Sequence, residues 1–290
     1  QAKPQPQTHT CHPDRSEAQR RDLQCAQHTT NLHCTRYNGA FGESRGNFAP
    51  LVLLLRRKPA PGYLLCFAER HPNHIMDLFD QTPDSAQDFL PSHRDLASLQ
   101  SAAPQCRGCP LYEQASQVVF GEGGAHAALM LVGEQPGDKE DQQGRPFVGP
   151  AGQLLDKCLV AAGIDRSTVY VTNAVKHFKW EPRGKIRLHK KPNSLEIAAC
   201  RPWLEAEVAA IRPHLIVCLG ATAAQSLMGG QFRLTRHRGE VFPTKYGPVT
   251  ATIHPSAILR MTEPAEKQAE LDSLVHDLTA ARSYIAQKPA

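Results

Sequence analysis

The chain is 290 residues long, 41% hydrophobic and modestly basic, with 33 Lys and Arg against 28 Asp and Glu. That is enough apolar material to bury a full core in one or two domains. The one notable apolar run near its start, Leu51 to Leu55, is far too short to span a membrane, and nothing there resembles a signal peptide. The nine cysteines are odd in number and unevenly spaced, unlike a secreted disulfide framework, so a reducing, cytoplasmic setting is expected.

Residues 1–85 are rich in Pro, His, Gln and Arg, and the first methionine is Met76. Two expectations stand side by side for this stretch: a native start near Met76, or a disordered extension. The folded domain is expected over 86–290. Near its beginning, Cys106-Arg-Gly-Cys109-Pro has the spacing that turns two sulfurs toward one metal or cluster, although zinc, an iron–sulfur cluster and a redox pair would all use it. Cys200 is a possible third ligand and His177 a fourth, since imidazole can replace thiolate on a cluster iron. A surface histidine and an inert Cys200 remain the alternative. Cys158 and Cys218 lie in apolar periodic runs and read as small core residues.

From Ala127 the pattern alternates short β-branched runs with longer helical ones, an α/β arrangement with parallel strands and crossover helices. Strands are predicted at Ala127–Gly133, Thr168–Thr172, Leu215–Leu219 and Val249–Ile253, and helices at Pro150–Ala162, Ser194–Ile211, Ala221–Met228 and Pro264–Ile285. Asn193 followed three residues later by Glu196 is a start signal for the second helix. After the first strand comes GEQPGDKEDQQGRPFVGPAG, Gly133 to Gly152, whose glycines let backbone approach a ligand while Glu134, Gln135, Asp138, Glu140, Asp141 and Phe147 supply polar and stacking groups. Asn173 follows the second strand and His254 the last. In a parallel sheet these positions share the carboxyl edge, where open α/β folds bind ligands.

Between Lys176 and Lys191 stand seven basic residues, Lys176, Lys179, Arg183, Lys185, Arg187, Lys190 and Lys191, against the single acid Glu181. With His177, Phe178, Trp180 and His189 interleaved, this segment reads as an electrostatic and stacking surface for a phosphate backbone, or as an ordinary solvated face.

Taken together, GEQPGDKED, PFVGPAG, VTNAVKHFK, ACRPW, GATAA, HRGEV and the His254-Pro255-Ser256 turn resemble the family 4, iron–sulfur class of uracil-DNA glycosylases, in family order from about Asp88 to the end. More narrowly, the chain resembles the UdgX branch, whose members become covalently joined to uracil-containing DNA. Two places carry that likeness: His177 stands where ordinary members have Cys, and Lys185-Ile186-Arg187-Leu188-His189 stands where the branch reads KRRIH. Ile186 and Leu188 depart from that pattern.

The resemblance implies a three-layer α/β/α fold around a mostly parallel four-stranded sheet, and a 4Fe-4S cluster on Cys106, Cys109, His177 and Cys200. It implies that Phe147 stacks on uracil, that Asn173 reads the base edge with Gln135 alongside, and that Lys185, Arg187, Lys190 and Lys191 hold DNA. His254 would donate to the developing uracil anion, Glu134 would position water in ordinary members, and His189 would take water's place as nucleophile. Neutral imidazole is competent for this near pH 7, its ordinary pKa being roughly 6.5, and the surrounding cations are expected to disfavour its charged form. The expected partner is uracil-containing DNA, single-stranded by preference, bound by a monomer in the cytoplasm at the nucleoid. A turnover glycosylase releasing free uracil and a non-catalytic uracil-DNA sensor are the competing readings.

Overall fold

The computed structural model describes residues 85–287. The expectations placed on 1–84, including Leu51–Leu55, Met76 and the four cysteines before it, lie outside the described residues.

In chain order the elements are α1 (Leu96–Ala102), β1 (Leu129–Gly133), α2 (Asp138–Gln143), α3 (Pro150–Ala161), β2 (Val169–Asn173), β3 (Trp180–Arg183) and β4 (Ile186–His189). They continue with α4 (Ser194–Ile211), β5 (Leu215–Leu219), α5 (Ala221–Met228), α6 (Leu234–His237), β6 (Phe242–Thr244), β7 (Gly247–Thr252), α7 (Pro255–Leu259) and α8 (Pro264–Ala286). The four expected strands run parallel in the order β2-β1-β5-β7, and the sheet gains a fifth, the short antiparallel edge strand β6. That strand was missed because Phe242-Pro243-Thr244 is three residues long and contains a proline, which only an edge position tolerates.

Alternation along the buried strands builds the layers. Leu129, Leu131, Val169, Val171, Leu215 and Val217 meet Leu155 and Leu159 of α3 and Leu274 and Leu278 of α8 on one face. Met130, Val132, Tyr170, Ile216, Cys218, Val249 and Ala251 meet Leu204 and Val208 of α4 and Ala223 and Ala224 of α5 on the other. Cys158 and Cys218 are core residues of these two layers, and burial pushes both thiols up. Helix α4 starts as its sequence indicates: Asn193 Oδ1 accepts from the Glu196 N–H at 2.9 Å, and Glu196 Oε2 accepts from the Asn193 N–H at 2.7 Å.

Two elements inside segments read as loops matter for function. The pocket loop contains α2, and the basic segment forms the β3–β4 hairpin, with Arg183 opposite Ile186 and Gly184 at φ 60° in the two-residue turn. The basic composition masked the period-two pattern there, because neither strand carries an apolar face toward the core.

Candidate active site

Strands β1, β2 and β7 end at one edge, so Glu134 and Gln135, Asn173, and His254 come together without long connections. With Phe147 and His189 they line a cavity of about 760 Å³, the size class of small-molecule sites. Gly133 is its hinge point. A Cβ there would lie 2.3 Å from Asn173 Oδ1 and 2.7 Å from Phe147 Cζ, so only glycine lets the amide and the ring meet over the strand end. Asn173 is 2% exposed, and its Oδ1 has no hydrogen-bond partner among the described residues. A buried acceptor left unpaired costs about 1–3 kcal/mol, which a ligand N–H at this point would recover.

Phe147 adopts φ 56°, a left-handed conformation unusual for an aromatic residue, and its ring stacks toward His254 with centroids 6.0 Å apart and planes 30° off parallel. The loop is held in that shape by Glu140, whose two oxygens accept from the Gly137 N–H at 3.1 Å and the Gly149 N–H at 2.7 Å. Helix α3 closes on it so tightly that a Cβ at Gly152 would lie 1.6 Å from the Phe147 carbonyl oxygen. Glu140, grouped with the ligand-facing residues in the sequence, is thus occupied by the loop itself.

His254 caps α7: its Nδ1 accepts from the Ser256 N–H at 3.1 Å. The ring proton therefore sits on Nε2. Burial pushes the imidazole down to about 4, with Arg260 and His189 adding to the effect. At neutral pH this is an uncharged ring with a donor to offer, the arrangement suited to a developing anion.

The hairpin brings His189 to the same cavity. Gln135 fastens its root: Oε1 accepts from the Lys179 N–H at 3.2 Å, while Nε2 lies 2.9 Å from the Lys190 carbonyl, 3.2 Å from the Lys179 carbonyl and 2.9 Å from His189 Nε2. Because the amide oxygen is already an acceptor, Nε2 is the donor and His189 Nε2 receives it through a lone pair. Glu134 Oε1 lies 3.8 Å from the same nitrogen. His189 keeps 48% of its side chain exposed, and the partial desolvation it meets at the cavity wall lowers its pKa, with Glu134 opposing and Arg260 reinforcing. The cause differs from the one expected, since the loop's own cations are not what holds the ring neutral.

Most of those cations are engaged elsewhere. Lys176 is fully buried against Glu207, Lys179 pairs with Glu196 at 2.8 Å, and Lys190 pairs with Glu181 at 2.8 Å. Arg187 donates to Asp138 and to fully buried Asp141, each at 2.6 Å, and lies 5.5 Å over both the Phe178 and Trp180 rings. Arg183, Lys185 and Lys191 are exposed and have no ion-pair partner among the described residues.

Comparison with known proteins agrees with this geometry. The sequence profile of the uracil DNA glycosylase superfamily matches residues 120–279, which contain the whole cavity. The chain belongs to the uracil DNA glycosylase superfamily. Among its relatives, the type-4 uracil-DNA glycosylase of Thermotoga maritima is 38% identical over 187 residues, covering 63% of this chain and 91% of the relative. The type-4 enzyme of Pyrobaculum aerophilum is 37% identical over 174 residues, covering 57% and 85%. A type-5 uracil-DNA glycosylase of the same organism is 30% identical over 154 residues, covering 47% and 64%.

Beside the glycosylase cavity lies a third buried cluster that contains Cys106, Cys109, Cys200 and Trp203. None of the three cysteines forms a disulfide. Trp203 Nε1–H donates to Cys106 Sγ at 3.1 Å, and the Lys176 N–H to Cys200 Sγ at 3.3 Å. His177, the residue after Lys176, is buried too, and burial lowers its pKa to about 4 against the opposing charge of Asp141. Burial pushes the Cys200 thiol up to about 12, with Lys176 opposing and Cys109 adding, as expected for a thiol that loses its proton only to a metal. Among the described residues no three His, Cys, Asp or Glu side chains converge closely enough to hold a single ion. Three thiols with N–H donors aimed at two of them, plus a neutral imidazole one residue from Cys200's backbone donor, are chemically a fit for a cluster, whose ligands stand farther apart.

Two residues of this glycosylase site were not read from the sequence. Arg260 lines the cavity and adds to burial in lowering the pKa of both histidines; its signal was its place six residues after His254, at the C-terminal cap of a short helix that the sequence did not announce. Glu207 accepts from Lys176, from the Tyr170 hydroxyl at 2.8 Å, from Thr172 at 3.0 Å and from the Gly121 N–H at 3.2 Å, while Lys176 Nζ also donates to the Asn173 carbonyl at 2.8 Å. Within α4 nothing distinguishes this glutamate from its neighbours, so no sequence signal marked it.

Proposed function

We propose that this chain excises uracil from DNA and is captured by its own product, His189 becoming joined to the abasic sugar as in the UdgX type. Uracil-DNA glycosylase activity, the hydrolysis of an N-glycosidic bond, is what superfamily membership and the type-4 relatives support. The observation that carries the finer reading is the presence of a neutral imidazole, His189, beside Glu134 in the cavity where Asn173 waits with an unpaired acceptor.

A stacked base is out of reach of any side chain, so the target nucleotide enters flipped or from a single strand. Phe147 covers the ring face. Asn173 Oδ1 accepts from uracil N3–H, and its amide donates to O4; cytosine presents the opposite polarity at both positions and is rejected. As the C1′–N1 bond breaks, its electron pair passes to uracil, and the His254 Nε2–H donates to the O2 that gains charge. The sugar becomes oxocarbenium-like, and Glu134, which lines the cavity 3.8 Å from His189 Nε2, is the carboxylate placed to balance it. His189 Nε2 then gives up its hydrogen bond from the Gln135 amide, which keeps the Lys190 and Lys179 carbonyls, and donates the freed lone pair to C1′; the new bond leaves an imidazolium, whose Nδ1 proton goes to solvent. A 4Fe-4S cluster on Cys106, Cys109, Cys200 and His177 would supply structure, tying the segment before β1 and helix α4 to the end of β2. DNA is held by Lys185 and Lys191, with Lys190 exchanging its exposed partner Glu181 for a phosphate and Arg187 setting the hairpin that presents His189.

Incubation with a uracil-containing single strand followed by a denaturing gel tests the reading. A shifted band that disappears in His189→Ala is expected. Free uracil in molar excess over protein would select the turnover enzyme instead, and heat-reversible binding without uracil release the non-catalytic sensor.

A further inference from the structure

The hairpin carries an apolar pair that neither the fold nor the chemistry above uses. Ile186 is 67% exposed and Leu188 41% exposed, and neither belongs to any of the three core clusters. Alternation along β4 puts them on one face and Arg187 and His189 on the other. Leu188 lines the rim of the cavity, and Ile186 continues the same face outward to the turn. Across the hairpin Arg183 stands opposite Ile186, and Glu181, paired with Lys190 at 2.8 Å, stands opposite Leu188; Lys185 and Lys191 flank the strand in sequence, and they and Arg183 are exposed and without an ion-pair partner among the described residues.

An apolar strip bordered by unpaired cations and leading from the mouth of a base-sized cavity fits one kind of partner: a single strand, with flat apolar bases and a regular row of phosphates. A protein helix or a lipid surface would use the apolar strip but has no reason to begin at the cavity rim. We propose that Ile186 and Leu188 form a platform for the nucleobase adjacent to the extracted uracil. The neighbouring base loses its stacking partner when uracil leaves the strand, and the platform replaces that partner while the exposed cations hold the flanking phosphates.

This inference rests on the uracil-binding reading and is tested separately from it. The probe is a short single strand carrying uracil on a 2′-fluoro sugar, whose electronegative fluorine disfavours the oxocarbenium-like state and so leaves binding measurable without cleavage. Three versions are compared by fluorescence anisotropy on the full chain: normal bases beside the uracil, abasic spacers on both sides, and thymine in place of uracil. For the unaltered protein, removing the neighbours is expected to weaken binding about fivefold to tenfold, the low end of what one base stacked on an aromatic ring is worth, since the platform is aliphatic. Ile186→Ser, a change at an exposed position, is expected to weaken binding to the normal strand by a similar factor and to have no further effect on the spacer strand.

Equal loss on both strands, or no loss on either, would overturn the platform. A change in oligomeric state with unchanged DNA affinity would overturn it too, by assigning the strip to a second copy of the chain. Should the unaltered protein fail to prefer uracil over thymine, the underlying reading itself falls, and the platform with it.

Discussion

The pocket loop and the hairpin meet at His189, yet they are held in opposite ways. The loop from Gly133 to Gly152 is fixed by backbone: a strand end that accepts no Cβ, a left-handed Phe147, and Glu140 gripping two N–H groups. The hairpin has no apolar core of its own and is fixed by side chains, with Gln135 at its root and Arg187 clamped to Asp138 and Asp141. Rigid backbone suits a pocket that must distinguish one base from another, since hydrogen-bond readout fails when partners drift. Side-chain clamps suit a segment that only has to deliver one imidazole.

That difference can be broken from either side. The largest effect is expected in the pocket: Asn173→Ala should lower the single-turnover rate of uracil excision by about 10²–10³, with binding to uracil-free DNA unchanged, as rapid-quench kinetics and anisotropy would show. On the hairpin, Arg187→Ala leaves the fully buried Asp141 carboxylate with the Ser116 N–H but without its counter-charge, and losing one partner of a buried pair typically costs about 3 kcal/mol or more. Thermal unfolding should register that loss, and adduct yield should fall far more than uracil release, because the pocket does not depend on the clamp.

The two histidines give the pH signature. His189 acts as a neutral nucleophile, and burial lowers its pKa below the ordinary value. Adduct formation should be level above pH roughly 6.5 and fall only below it. His254 sits at about 4 in the folded chain, below its value when unfolded. The unfolded chain therefore binds more protons between these two values, and stability should decline as pH falls from roughly 6.5 toward 4. Stopped-time gels and denaturant melts across that range check both. The smallest expected effect is electrostatic: Lys185→Ala should reduce the slope of log affinity against log salt by about 0.7 on a single strand, with little change in excision.

How legible each region was follows from the same contrast. The loop could be read because glycine, proline and an isolated aromatic after a strand leave few conformations, and because strand ends at one sheet edge must converge; Glu134, Asn173, Phe147 and His254 do line one cavity. The basic segment was read by charge, and charge alone does not say where a side chain goes. Lys176, counted toward a DNA surface, is buried against Glu207, and Arg187 faces carboxylates that lie nearly fifty residues earlier. Those partners are long-range, so no local pattern could reveal them. The hairpin itself escaped notice because its strands pack on side chains at their flanks and not on a core.

The covalent step is the centre of the account, and peptide mass spectrometry reads it directly. After incubation with a uracil-containing oligonucleotide, nuclease trimming and proteolysis, the peptide bearing His189 should carry a deoxyribose-phosphate remnant, with one uracil released per protein. An unmodified His189 peptide accompanied by excess free uracil would contradict it.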